Sequence, residues 1–310
     1  MEIRHIGNHD IDKGRWDNTV KTAPNGSVYA FSWYLDAVCP GWEALVTEDY
    51  NRIMPLTRRK RFGIHYLFQP PLTQQLGIIS GDDAGPEEVA RFINSIPPRY
   101  KLAEITLNRS NELPEGPIQV TMHTTYRLGL STTYEDLLHH YSENTKRNLK
   151  KAGSARLEYH TGCPPVDFYR ILGEDRSEGS SILNKTKNKA ALASLVPALI
   201  NNRCGTIHGV RNRNGRLVAA LLSGYSHHTH YYLVPAMNQE GRDVRAMFYL
   251  IDRLIHHHSG TLEALDFEGS DIESIARFYA GFGALPSLYP ALRFNRLPWP
   301  ANWLADRRRS

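Results

Sequence analysis

The chain has 310 residues, of which 41% are hydrophobic and 22% charged, and its formal net charge is +5. This composition is typical of globular proteins and excludes a disordered or fibrous chain, while the length favours two domains. No apolar run approaches the ~18–20 residues that span a bilayer, and the N-terminus has no signal-peptide pattern. Cys39, Cys163 and Cys204 are isolated, which argues against a disulfide framework. We therefore expect a cytoplasmic protein.

The first half of the chain alternates short strands with helices. Pro86 opens one helix, because proline suits the first turn and the acidic residues that follow suit the positive helix end. The predicted helices are 31–38 and 86–95, and the predicted strands are 43–47, 52–57, 65–69, 102–108, 118–122 and 126–130.

The second half begins with helices and continues with strands. Thr132 and Glu135 have the spacing of a capping box, Ser142 can cap the next helix, and Asp243 can cap a later one. Pro197 should interrupt or restart the helix that contains it. The predicted helices are 134–141, 142–152, 167–174, 190–201, 243–258 and 272–280, and the predicted strands are 206–211, 217–225, 230–235, 262–267 and 291–297.

Both halves contain the same order of elements: strand, hairpin, strand, strand, loop, helix and strand. This order takes 64 positions from Gly41 to Ile105 and 60 positions from Gly205 to Leu265. Asn214-Gly215 is a strong hairpin turn in the second half. We interpret the pattern as an internal duplication of an α/β unit.

Two segments resemble FemAB-type bacterial proteins. One is Leu265-Asp266-Phe267-Glu268-Gly269-Ser270, which leads into Ala276-Arg277-Phe278-Tyr279-Ala280-Gly281-Phe282-Gly283. The other is the basic helix 141–152. The resemblance implies an α/β (α+β) fold of two tandem GNAT (acyl-CoA N-acyltransferase) domains, each with a mixed, largely antiparallel sheet flanked by helices. We place these domains at 1–133 and 134–310, with linking helices at 134–152.

The resemblance implies an N-acyltransferase that moves an acyl group from an acyl-CoA-type co-substrate to a small-molecule or peptide amine. Several family members bind tRNA through a long coiled-coil insertion, and the absence of such a heptad run here favours acyl-CoA. Two alternatives stay open: an aminoacyl-tRNA-dependent peptidyl transferase of the FemAB type, and a degenerate GNAT pair that only binds a ligand. Binding of other nucleic acids is not expected, because the net charge is modest and no recognised motif is present.

The loop 237–246 is the candidate donor site. In the GNAT superfamily a splayed strand pair and the loop that opens the next helix hold the pyrophosphate through backbone N–H groups. Five residues loosely match that pattern here: Gln239, Gly241, Arg242, Arg245 and Ala246. The alternative is a plain surface turn capped by Asp243. The corresponding first-half loop, 69–77, is uncharged, so we expect the second half to be the active one.

Three residues are candidates for acid–base chemistry. Asp266 and Glu268 alternate along the predicted strand 262–267 and its end, so both should lie on one face and could accept a proton from an amine. Alternatively, Glu268 caps the following helix or pairs with Arg277. Tyr279 resembles the GNAT tyrosine that protonates the leaving thiolate, although it could equally be a buried core residue.

Basic and histidine clusters complete the candidate list. Arg147, Lys150 and Arg58 could bind an anionic part of the acceptor, or simply form solvated surfaces. The histidines form two runs, 227–230 and 256–258. Consecutive histidines on a helix cannot converge on one ion, and cations at a helix C-terminus are favoured by the helix dipole. We therefore predict no metal site.

Overall fold

A computed structural model describes residues 2–82, 84–113, 119–176, 186–269 and 272–298. The helices are α1 Lys13–Thr22, α2 Ser32–Val38, α3 Pro86–Asn94, α4 Tyr134–His139, α5 Glu143–Gly153, α6 Pro165–Glu174, α7 Thr186–Asn201, α8 Gln239–Asp243, α9 Ala246–His258 and α10 Glu273–Ala280. The strands are β1 Ile3–Ile6, β2 Glu43–Thr47, β3 Arg52–Leu56, β4 Arg58–Arg61, β5 Ile64–Phe68, β6 Ile79–Ser80, β7 Tyr100–Thr106, β8 Gln119–Gly129, β9 Glu158–His160, β10 Gly205–Arg211, β11 Leu217–Ser226, β12 Thr229–Met237, β13 Ala264–Asp266 and β14 Leu285–Asn295. No helix in this part of the chain combines the length and hydropathy that a bilayer crossing requires.

The chain divides into two compact units. Unit 1 comprises Met1–His123 and Leu288–Ser310, and unit 2 comprises Thr124–Ser287. The predicted domains differ from these units in two ways: the boundary was drawn about ten residues later, and the last strand was assigned to the second domain. The reason is strand pairing between distant segments, which the sequence pattern does not reveal.

Unit 1 contains two sheets. One has the order β1-β2-β3-β6 and is antiparallel. In the other, β4 pairs with β5, β5 runs parallel to β7 after the α3 crossover, and the C-terminal strand β14 pairs with β7. Buried apolar side chains from β2, β3, α3 and β7 form the core. The run 58–61, which we expected to be a solvated surface or an anion site, is the strand β4.

Unit 2 contains one mixed sheet in the order β8-β13-β12-β11-β10-β9, and only the β12–β13 pair is parallel. The two predicted strands 118–122 and 126–130 are one continuous strand, β8, as far as the described residues extend. Both units thus contain an antiparallel hairpin followed by a parallel β-α-β crossover, which confirms the predicted α/β fold class and its duplication.

Helix boundaries in unit 2 test the predicted caps. Ser142 caps α5 and accepts a hydrogen bond from the Thr145 N–H, as predicted. The cap of α4 is Thr133 rather than Thr132, and α7 continues through Pro197. Asp243 caps no helix: it ends α8, whose cap is Asn238, and α9 starts three residues later. The predicted helix 243–258 therefore corresponds to α9, which starts at Ala246, and the sequence did not predict α8.

Candidate functional site

Strand β12 of unit 2 continues beyond its parallel pairing with β13. The register joins Thr229–Tyr231 to Ala264–Asp266, which is all of β13, whereas β12 continues to Met237. Opposite β11, the register of β12 also shifts between Leu222 and Ser223, which indicates a β-bulge. In unit 1, by contrast, β5 pairs with β7 from His65 through Phe68, almost its whole length. The longer β12, with only its first three residues paired to β13, makes unit 2 the better match to the strand pair that the resemblance implies.

The loop that leaves β12 is held by its own polar groups. The Asn238 side chain accepts a hydrogen bond from the Gly241 N–H at 2.9 Å, and the Gln239 amide donates to Asp243 at 2.9 Å. A Cβ atom at Gly241 would lie 2.1 Å from the carbonyl oxygen of Val218, so only glycine fits there. Gly241 and Gln239 therefore shape this loop, and the Gly241 N–H and the Gln239 side-chain NH2 group are already engaged.

Arg242 is an internal ion-pair partner. Its Nη1 lies 3.0 Å from Oδ1 of the buried Asp175, and Oδ2 of the same carboxylate accepts the Met237 N–H at 3.0 Å. Glu174 accepts a hydrogen bond from the Asn238 amide at 3.1 Å. The end of α6 thus fastens the loop. The sequence analysis missed both acidic residues, because they lie more than 60 positions from their partners.

The start of α9 presents an exposed arginine, in contrast to the ion-paired Arg242 in the loop before it. Arg245 occupies the N-cap position with a left-handed φ of +63° and makes no side-chain capping hydrogen bond. Its side chain is exposed, while Ala246 in the first helical position is buried. The first N–H groups of a helix lack intrahelical acceptors and carry partial positive charge, so they suit a phosphate. Of the predicted residues at this helix start, Arg245 is an exposed cation that a phosphate could reach, whereas Ala246 has no exposed surface.

The three candidate acid–base residues lie together in unit 2. Tyr279 is buried and stacks on Phe267, with ring centroids 4.7 Å apart. Burial raises the pKa of Tyr279, and the nearby charges of Glu268 and Asp266 raise it further. The phenol is therefore protonated at neutral pH, which suits a proton donor.

The two carboxylates differ in their surroundings. Asp266 is 2% exposed and accepts hydrogen bonds from the Thr125 hydroxyl at 2.6 Å and the Glu268 N–H at 2.9 Å, with Arg127 at 3.4 Å. This arrangement ties β13 to β8. Glu268 is half-buried and lies beyond the end of β13 with a left-handed φ of +57°, so strand alternation does not set its direction. Backbone strain of this kind is frequent at functional sites.

The predicted anion-binding residues have two different environments. Arg147 and Lys150 are exposed and three positions apart on α5, so they share one helix face. Arg58 instead pairs with the buried Glu43 at 2.9 Å and donates to the Gly41 carbonyl at 2.9 Å. Arg58 therefore belongs to an internal network of unit 1.

A cavity of about 850 Å³ lies within unit 1. Strand alternation along β4 directs Arg59 and Arg61 into its lining, while Arg58 takes the other side. The guanidinium of Arg59 stacks over Phe68 at 3.7 Å. The sequence analysis did not predict this cavity, because residues of β4, β5, β7 and β14 line it jointly.

Comparisons with known proteins agree with this geometry. The family profile described as "Acetyltransferase (GNAT) domain" matches residues 140–272. No curated protein matches the chain. The solved structure of FemX is similar, with a TM-score of 0.69, 12% identity, and coverage of 98% of this chain and 99% of that one.

Two further solved structures share the fold. A tandem GNAT protein from the clavulanic acid biosynthesis pathway has a TM-score of 0.53 and 11% identity, over 96% of this chain and 99% of that one. L-PGS from Bacillus licheniformis has a TM-score of 0.52 and 10% identity, over 93% of this chain and 98% of that one.

Proposed function

We propose that the protein is an N-acyltransferase that uses an acyl-CoA donor and an amine acceptor, because residues 140–272 match the GNAT acetyltransferase profile and the chain shares its fold with FemX and with a tandem GNAT protein. The observation that carries this proposal is the edge of β12 that continues beyond its pairing with β13, together with the exposed Arg245 at the start of α9. In this proposal the donor pyrophosphate lies at the start of α9, against the side chain of Arg245. The acyl arm follows the edge of β12 beyond its pairing with β13.

The chemistry needs a proton acceptor and a proton donor. The amine nitrogen attacks the thioester carbonyl carbon, the new C–N bond forms, and the C–S bond breaks. Glu268, the less buried of the two carboxylates, takes the proton that the amine loses. Tyr279, whose pKa is raised by burial and by the neighbouring carboxylates, gives its proton to the leaving thiolate. In this proposal Asp266 positions Glu268, because it is fixed to β8 through Thr125 and accepts the Glu268 N–H.

The acceptor carries an anionic group in this proposal. Arg147 and Lys150 are exposed cations on one face of α5 and suit a carboxylate or phosphate on the acceptor. Arg58 is not included, because its Nε is engaged with Glu43 and with the Gly41 carbonyl.

A thermal-shift titration with CoA and acetyl-CoA tests the donor site. A ligand that binds only the native state stabilises it by about 2.7 kcal/mol at a hundredfold excess over Kd. Arg245→Ala removes a charge-assisted hydrogen bond worth about 1.5–3 kcal/mol and should weaken CoA binding roughly ten- to a hundredfold. Arg203→Ala is the matched control, because Arg203 is also exposed and left-handed, with φ of +55°. Equal CoA affinities of these two variants would refute the donor site.

A second candidate function is aminoacyl transfer from tRNA. The observation that favours it is the TM-score to FemX, 0.69, against 0.53 to the tandem GNAT protein. Transfer of a labelled amino acid from charged tRNA to an amine, without any stabilisation by CoA, would establish this function instead. Absence of turnover with both donors would indicate a GNAT pair that only binds its ligand.

A further inference from the structure

Three potential metal ligands from different segments converge in unit 2. His230 is the second residue of β12, His258 is the last residue of α9, and Glu263 precedes β13. Nε2 of His230 and Nδ1 of His258 each lie 2.9 Å from Oε2 of Glu263. The three ligand atoms all lie within 4.8 Å of one another, and the two imidazole centroids are 3.9 Å apart.

The cluster is sheltered but reachable from solvent. The exposed side-chain fractions are 9% for His230, 17% for Glu263 and 21% for His258. Imidazole nitrogen and carboxylate oxygen are both ligands that transition-metal ions accept.

A further residue orients the carboxylate. The Tyr225 hydroxyl donates to Oε1 of Glu263 at 2.9 Å, which leaves Oε2 for the two imidazoles. Hydrogen bonds of this kind fix the orientation of metal ligands and raise metal affinity.

We propose that Nε2 of His230, Nδ1 of His258 and Oε2 of Glu263 bind one divalent transition-metal ion, with Zn²⁺ preferred. Tetrahedral zinc with bonds of about 2.0–2.1 Å separates its ligand atoms by roughly 3.3 Å. The two 2.9 Å separations from Glu263 therefore need to widen by only a few tenths of an ångström. A water molecule completes the tetrahedron. Two imidazoles and one carboxylate suit zinc better than calcium or magnesium, which prefer oxygen ligands.

The ion has a structural role in this proposal. It fastens the start of β12 to the end of α9 and to the segment before β13. His230 and Met237 are seven positions apart on β12, or about 23 Å at ~3.3 Å per residue, so the ion lies far from the donor loop. The test of this site by metal binding is therefore separate from the test of the donor site by CoA binding. The sequence predicted no metal site because each histidine run was taken by itself. The folded chain instead brings together one histidine from each run, His230 and His258.

Metal binding by the chelator-stripped full chain tests the proposal. We expect one equivalent of Zn²⁺ per chain by elemental analysis after dialysis, and the visible absorption of tetrahedral Co²⁺ on titration with that ion. His258→Ala and Glu263→Gln should each weaken binding at least a hundredfold. His256→Ala is the matched control, because His256 is exposed at the same helix end and its ring packs on Tyr134 instead.

Two results would overturn the proposal. One is the lack of saturable binding by the wild-type chain, which would mean that the cluster is only a hydrogen-bonded clamp. The other is binding that His258→Ala and Glu263→Gln leave unchanged, which would place the ion elsewhere. If either variant fails to fold without metal, Tyr225→Phe serves instead: it keeps all three ligands, and we expect it to weaken binding about ten- to a hundredfold.

Discussion

Two arginines three positions apart, Arg242 and Arg245, should respond to mutation in opposite ways. Arg242 forms an ion pair with the buried carboxylate of Asp175. Arg245 is exposed and contacts only a backbone carbonyl at 3.4 Å. We predict that Arg242→Ala lowers the stability of unit 2, while Arg245→Ala lowers the affinity for CoA and leaves the stability within about 0.5 kcal/mol.

The cost of Arg242→Ala follows from the burial of its partner. Removal of one member of a buried ion pair costs about 3–5 kcal/mol, because the other charge stays in a poorly solvated place. The side chain of Arg242 is 25% exposed, so we expect the lower end, about 3 kcal/mol. For a unit of this length (residues 124–287), each kcal/mol shifts Tm by about 2–4 °C, which gives a fall of roughly 6–12 °C.

Thermal unfolding followed by circular dichroism measures this difference. Asp175→Ala combined with Arg242→Ala should be less destabilised than the sum of the single variants, because the unpaired buried charge is then gone. A Tm of Arg242→Ala within 1 °C of wild type would refute the view that Asp175 and Arg242 fasten the loop. Loss of CoA binding by a fully stable Arg242→Ala would instead return Arg242 to the donor site.

Three further predictions concern acidity, a glycine and the proton donor. Burial disfavours ionisation of Glu43, but hydrogen bonds from Tyr100 and His5 and the charge of Arg99 outweigh this effect and lower its pKa. The stability that ionised Glu43 contributes is therefore lost as the pH falls below about 4.3. In urea denaturation, the free energy of unfolding of Glu43→Gln should depend less on pH between 5 and 3 than that of the wild type. Gly269→Ala should lower the free energy of unfolding, measured by urea denaturation, by at least about 2 kcal/mol, because φ is +48° and the new Cβ would lie 2.0 Å from a backbone oxygen. Gly215→Ala, where φ is +76° and the space around the Cβ position is open, should lower it by about 1 kcal/mol. Equal losses in the two variants would contradict the steric argument. Tyr279→Phe should keep the thermal shift with CoA and lower kcat at least a hundredfold, and full activity of this variant would exclude Tyr279 as the proton donor.

Local patterns in the sequence determined most of the secondary structure and the fold class. The strand Glu43–Thr47 agrees residue for residue, and the Ser142 cap places α5 correctly, because both depend on periodicity and capping within a few positions. The duplication was also visible, since it repeats such local patterns. The last strand was predicted within the second domain, and nothing local in the sequence shows that β14 pairs with β7.

Tertiary structure decided what the polar residues do. The sequence alone placed Asp266, Glu268 and Tyr279 near one another, because they flank one strand–helix junction. It could not distinguish Arg242 from Arg245, since the acid that neutralises Arg242 lies at the end of a distant helix. It likewise could not bring His230 to His258, since that meeting requires a helix to return antiparallel to a strand. A charged side chain takes its role from the groups that surround it, and those groups come together only when distant segments pack.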